Sequence, residues 1–86
     1  MNAWIKRKYG YDEVISILVD EKCPDATLVF NLYIAFVDNY LGRILFDKEG
    51  YWIYDGEELT VTEQEQVGKF ICHHMQLFVT YDVIFN

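Results

Sequence analysis

An 86-residue chain makes one domain, residues 1–86, with room for a single core, and at this size only about two thirds of the unfolded surface can be buried. A formal charge of −7 repels phosphate backbones and argues against direct nucleic-acid binding, while 52% hydrophobic and 17% aromatic residues exceed what so small a body hides, which points to a protein partner or a homodimer. The longest unbroken apolar run, Leu32 to Val37, is far below the ~20 residues of a membrane span, MNAWIKRKYGYDEV lacks the apolar stretch of a secretory leader, and Cys23 and Cys72 read as reduced core thiols, so a cytoplasmic protein is expected.

Lys6, Arg7 and Lys8 form a basic cluster too short for a lipid or localisation signal, and they read as a solvated terminus. In DEVISILVDEK, Val14, Ile17 and Leu18 stand at helical spacing although Ile15, Ile17 and Val19 also alternate as in a strand; a helix is expected. Pro24 ends it, and Pro24 followed by Asp25 suits the first turn of a second helix. In PDATLVFNLYIAFVDNYLG, Thr27, Asn31, Ala35 and Asp38 recur at helical steps, which sets Val29, Leu32, Tyr33, Phe36, Val37, Tyr40 and Leu41 opposite them and Gly42 at the C-terminal cap. A strand over 27–37 competes, because β-branched and aromatic residues abound. It leaves Asn31 on the same face as Tyr33 and Val37 with no pattern to explain it.

Arg43 to Phe46 and Tyr51 to Tyr54 flank DKEG, whose Gly50 can take the left-handed conformation of a tight hairpin turn. Asp55-Gly56 is a second turn signal, so Glu58 to Val61 can add a third strand. Thr62 and Glu65 form a capping box for a helix that reaches at least residue 75. Residues 77–85 read equally as its continuation or as a terminal strand. The expected fold is α+β, with two N-terminal helices, a central antiparallel hairpin or three-stranded meander, and that C-terminal helix.

Chemistry is sparse. In ICHHM, residues 71–75, the ligand atoms of Cys72, His73 and His74 point about 100° apart on a helix, and no ligand stands four positions from either histidine, so neither metal nor cofactor is expected. Ser16 is the one serine and has no glycine-rich elbow, and no glycine pattern cradles a phosphate. These absences argue against an enzyme.

The informative stretch is DKEGYWIYDGEELT. From 47 to 65 the chain carries seven acids, Asp47, Glu49, Asp55, Glu57, Glu58, Glu63 and Glu65, against Lys48 alone. Within the strand Tyr51 and Ile53 share one face, Trp52 and Tyr54 the other, and a sheet packed on helices exposes one of the two pairs. An exposed aromatic beside a carboxylate rim is the composition of a binding hot spot, with Trp52 and Tyr54 as expected anchors and the acids in place of phosphates. Small size, acidity and surplus aromatics are shared with anti-CRISPR and other phage anti-defence proteins, with nucleic-acid mimics and with toxin immunity proteins, a likeness of class that implies an inhibitor in the basic groove of a nucleic-acid-binding partner. The competing reading is a self-associating structural domain.

Overall fold

The computed structural model describes residues 1–8, 10–20 and 28–75. Five strands form an antiparallel meander in chain order, β1 Asn2–Ile5, β2 Glu13–Asp20, β3 Leu28–Ile34, β4 Asn39–Phe46 and β5 Trp52–Asp55, and one helix, α1 Val61–Met75, follows. This overturns the expected layout. Glu13–Asp20 and Leu28–Ile34 are paired strands, not helices, with Ile17 opposite Leu32 and Val19 opposite Phe30. The helix start assigned to Pro24 and Asp25 and the ambiguous residues 77–85 lie outside the described residues.

Why β2 and β3 are strands follows from what each face meets. Ile15, Ile17, Phe30, Leu32, Ile44 and Phe46 turn one way and are fully buried with Ala3 and Ile5 of β1 and Val67 and Ile71 of α1. Phe30 and Phe46 meet edge to face at 5.6 Å in the middle of this layer. The polar period read as a wet helical stripe has another origin: Asn31 projects from the face that α1 does not cover, where its amide donates to Asp20 Oδ2 (3.4 Å) and its Oδ1 accepts from Tyr40 Oη (3.2 Å). Gly42 is not a helix cap. It sits in β4 beside the register shift at Leu32/Tyr33 with φ 111°, and a Cβ there would stand 2.6 Å from the Asp55 carbonyl oxygen.

The β4–β5 hairpin forms where the sequence places it. Phe46 pairs with Trp52, Gly50 has φ 90°, and Asp47 Oδ1 accepts from the backbone N–H groups of Glu49 (2.8 Å) and Tyr51 (3.0 Å). Glu58 to Val61 is not a third strand; the chain turns directly into α1. Thr60, rather than Thr62, caps it: Thr60 N donates to Glu63 Oε1 (2.9 Å) and Glu63 N to Thr60 Oγ1 (3.2 Å). T-x-x-E occurs in two overlapping frames, and the one that turns its glutamate towards Arg7 wins.

Helix and sheet approach closely at Gly68, where a Cβ would overlap the Trp52 indole. Gly68→Ala therefore sets a helix-propensity gain of about 1 kcal/mol against an overpacking cost of about 1–3 kcal/mol. Urea titration should show the variant less stable than the parent by about 1 kcal/mol, and the sign should reverse in a Trp52→Leu background, where the ring is gone.

Candidate binding surface

The register places the side chains of the uncovered face in rows. Trp4 lies beside Val14; Asn2, Ser16, Tyr33 and Tyr40 run across the next row; Leu18, Asn31, Arg43 and Asp55 form a third; Val29, Leu45 and Ile53 a fourth. Val29 is fully buried apart from the main core, whereas the first rows and the β5 edge are open. Trp4 is 75% exposed, Tyr51 63% and Ile53 66%, with Leu18 and Tyr40 about half exposed. Tyr33 and Tyr40 lie 5.2 Å apart, and burial pushes the Tyr40 hydroxyl above its usual pKa, opposed in part by Arg43, so it stays a donor to Asn31 at neutral pH.

Each expected binding residue has a definite place. Tyr51 is wet, and it is Trp52 and Tyr54 that turn to the helix side, half-buried: Trp52 lies against Gly68, and the Tyr54 hydroxyl donates to the Leu41 carbonyl and accepts from Glu58 N (3.2 Å). Asp47 and Glu49 stand at the exposed β4–β5 turn, Glu57 and Glu58 in the exposed loop after β5, and Glu65 on the exposed side of α1. Asp55 is exposed but accepts from Arg43 Nε at 2.9 Å. Glu63 is no surface acid: it is 3% exposed and accepts from Arg7 Nε at 3.0 Å.

Three of the seven acids thus serve the fold, Asp47 through its turn, Asp55 through Arg43 and Glu63 through its cap and Arg7. The basic cluster is likewise not simply solvated. Arg7 also reaches Glu13 (3.7 Å) and the Glu58 carbonyl (3.5 Å), while the Lys6 backbone exchanges hydrogen bonds with the Gln66 amide at 2.7 and 2.8 Å. What the sequence missed is the open face itself, Trp4, Leu18, Tyr33, Tyr40 and Ile53. The alternation of Ile15, Ile17 and Val19 carried that signal.

Within ICHHM, burial pushes the half-buried Cys72 thiol above its ordinary pKa, and the exposed His74 stacks on Phe70 at 5.6 Å. Among the described residues no three potential metal ligands gather, and no helix is long and apolar enough to cross a membrane. Cys23 lies outside the described residues. Compared with protein-family models, with curated proteins and with solved structures, the chain matches none of them.

The Glu63 site has a pH signature. Burial alone would raise its carboxyl, but the Thr60 N–H and the Arg7 guanidinium outweigh it and hold the group below its usual 4.5. A depressed carboxyl contributes stability that is fully present above the unfolded value and is lost as pH falls through the folded one. From pH 7 to pH 3 the parent should lose stability more steeply than Glu63→Gln, in which that titration is absent. At neutral pH Thr60→Ala should cost about 1 kcal/mol and Thr62→Ala close to nothing, as measured by urea midpoints.

Proposed function

We propose that this chain is a non-enzymatic, acidic protein-binding module of the cytoplasm, an inhibitor or adaptor that seats its β5 edge and the adjoining turn and loop in a basic groove of another protein, one that ordinarily holds nucleic acid. The observation that carries this reading is the exposure of Tyr51, just before β5, and of Ile53 within it, a strand whose two ends lead into carboxylates, Asp47 and Glu49 on one side and Glu57 and Glu58 on the other. Rigid apolar contact area ringed by charge supplies affinity at the centre and steering at the rim. The anchors are Tyr51 and Ile53 in place of Trp52 and Tyr54, which pack within the fold. The mimicry falls to Glu57, Glu58 and Glu65, whereas Asp47, Asp55 and Glu63 are already engaged inside the molecule. A −7 chain is drawn to the cationic surface of a nucleic-acid-binding protein and repelled by nucleic acid.

The test is a pull-down with the tagged chain from nuclease-treated lysate of its native host, eluted by rising salt. One stoichiometric basic protein should be retained. Glu57→Lys with Glu58→Lys should lower the salt at which it leaves, and Ile53→Asp should weaken binding at least tenfold. If both variants elute as the parent does, the β5 edge is not the contact.

A further inference from the structure

A second surface lies at the other end of the uncovered face, in the turn between β3 and β4. Phe36 stands there with φ 73°, a left-handed conformation that bulky residues rarely adopt, and its ring is 94% exposed. Val37 beside it is 66% exposed, and Asp38 is left-handed too, with φ 55°. Within the monomer this geometry brings neither packing nor solubility. It does hold an aromatic ring clear of the sheet.

A groove of about 290 Å³ is lined by Asn2, Ser16, Leu18, Tyr33 and Asp38, and Phe36 itself forms part of its wall. Knob and groove sit side by side on one face, the arrangement that a two-fold axis satisfies twice, with each copy giving what the other receives. The surroundings suit a second copy better than the basic partner of the β5 edge. Asp38 is the one charge among the described residues that line the groove, and Trp4 and Val14 beside it are uncharged, so two −7 chains close here with a single carboxylate each rather than carboxylate rows set against each other. The area is also of the right order: Trp4 and Phe36, aromatic side chains of roughly 150–250 Å² each and largely exposed, with the half-exposed Tyr40 and Leu18 and with Val37, approach the roughly 800 Å² that each partner gives to a standard interface.

We propose that the chain forms a two-fold dimer in which Phe36 of each copy enters the groove between Leu18 and Tyr33 of the other. This surface is separate from the β5 edge, so the dimer stands or falls independently of any hetero-partner.

Sedimentation equilibrium on the purified chain, from micromolar to sub-millimolar concentration, tests it. A monomer–dimer equilibrium is expected, tightened by added salt, which screens the repulsion between two acidic chains. Phe36→Gly removes the ring and relieves the backbone: it should raise the dissociation constant at least about 30-fold, the hot-spot threshold, while the monomer at low concentration melts no lower than the parent. Leu18→Asp should weaken the dimer as strongly, and Ile53→Asp, on the same face but away from the groove, should leave the constant within about twofold. A parent that stays monomeric throughout, a Phe36→Gly variant that dimerises like the parent, or a dimer broken by Ile53→Asp instead would overturn the proposal.

Discussion

One buried carboxylate joins the first strand to the last element. Glu63 closes the first turn of α1 onto Thr60 and accepts from Arg7, which follows β1 and lies 56 residues earlier in the chain. Both partners are needed, because a carboxylate removed from water is tolerable only when its hydrogen-bonding capacity is filled. The linkage also fixes the helix over the sheet: with its first turn held at the end of β1, the 15-residue helix brings Val67 and Ile71 onto Ile5, Ile15 and Phe30 and lays Gly68 on Trp52. Gln66, one turn after Glu63, pairs with the Lys6 backbone and extends the β1 edge by a side-chain amide. A single helix fastened in this way covers one face of the sheet.

How far the sequence was legible follows from the same asymmetry. The hairpin could be read because its signals are local: alternation on both sides of DKEG and a glycine free to take φ 90°. Helix α1 could be read because its apolar positions face one side only. Strands β2 and β3 could not, for a physical reason. A strand with another strand on each side and a part-apolar second face shows no clean alternation, and LVFNLYI, buried on both faces at Val29 and Phe30, looks continuous to any periodicity argument. Asn31 then stood as the lone polar residue, and a helical stripe explained it where a strand did not. Its actual explanation, hydrogen bonds to Asp20 and Tyr40, involves residues 11 and 9 positions away and needs the sheet register to be seen.

The capping box makes a similar point at smaller scale. TVTEQE contains Thr60 with Glu63 and Thr62 with Glu65, equal as local patterns. Only the presence of Arg7 decides between them, so the helix begins where its second residue pair can also serve a tertiary contact. The acids were legible as a composition and illegible as roles. Counting them predicted a carboxylate rim, whereas Asp47, Asp55 and Glu63 serve a turn, an ion pair and a cap, and the other carboxylates of 47–65 fall into separate groups at the β4–β5 turn, the loop after β5 and the outer side of α1.

That separation decides which faces can meet what. At physiological salt an exposed charge is felt over roughly 8 Å, so net charge matters less to a contact than the charges within or beside it. On the face that α1 leaves open the Trp4 and Phe36 end is nearly neutral apart from Asp38 and the β5 edge is bordered by carboxylates, although both belong to a chain of −7. Asn39, beside the β3–β4 turn, and Leu45, opposite Ile53, stand six residues or roughly 20 Å apart along β4, more than two screening lengths. A copy docked at the neutral end therefore adds little repulsion at the other, and a basic partner at β5 gains nothing by displacing it. In a two-fold dimer the two β5 edges become a pair of acidic surfaces on one rigid body, and a partner with two basic grooves at the matching distance would be held by both, with the second contact made at high effective concentration. If both proposals hold, self-association and acidic recognition are additive on one small sheet, because each uses a different part of the face that α1 leaves open.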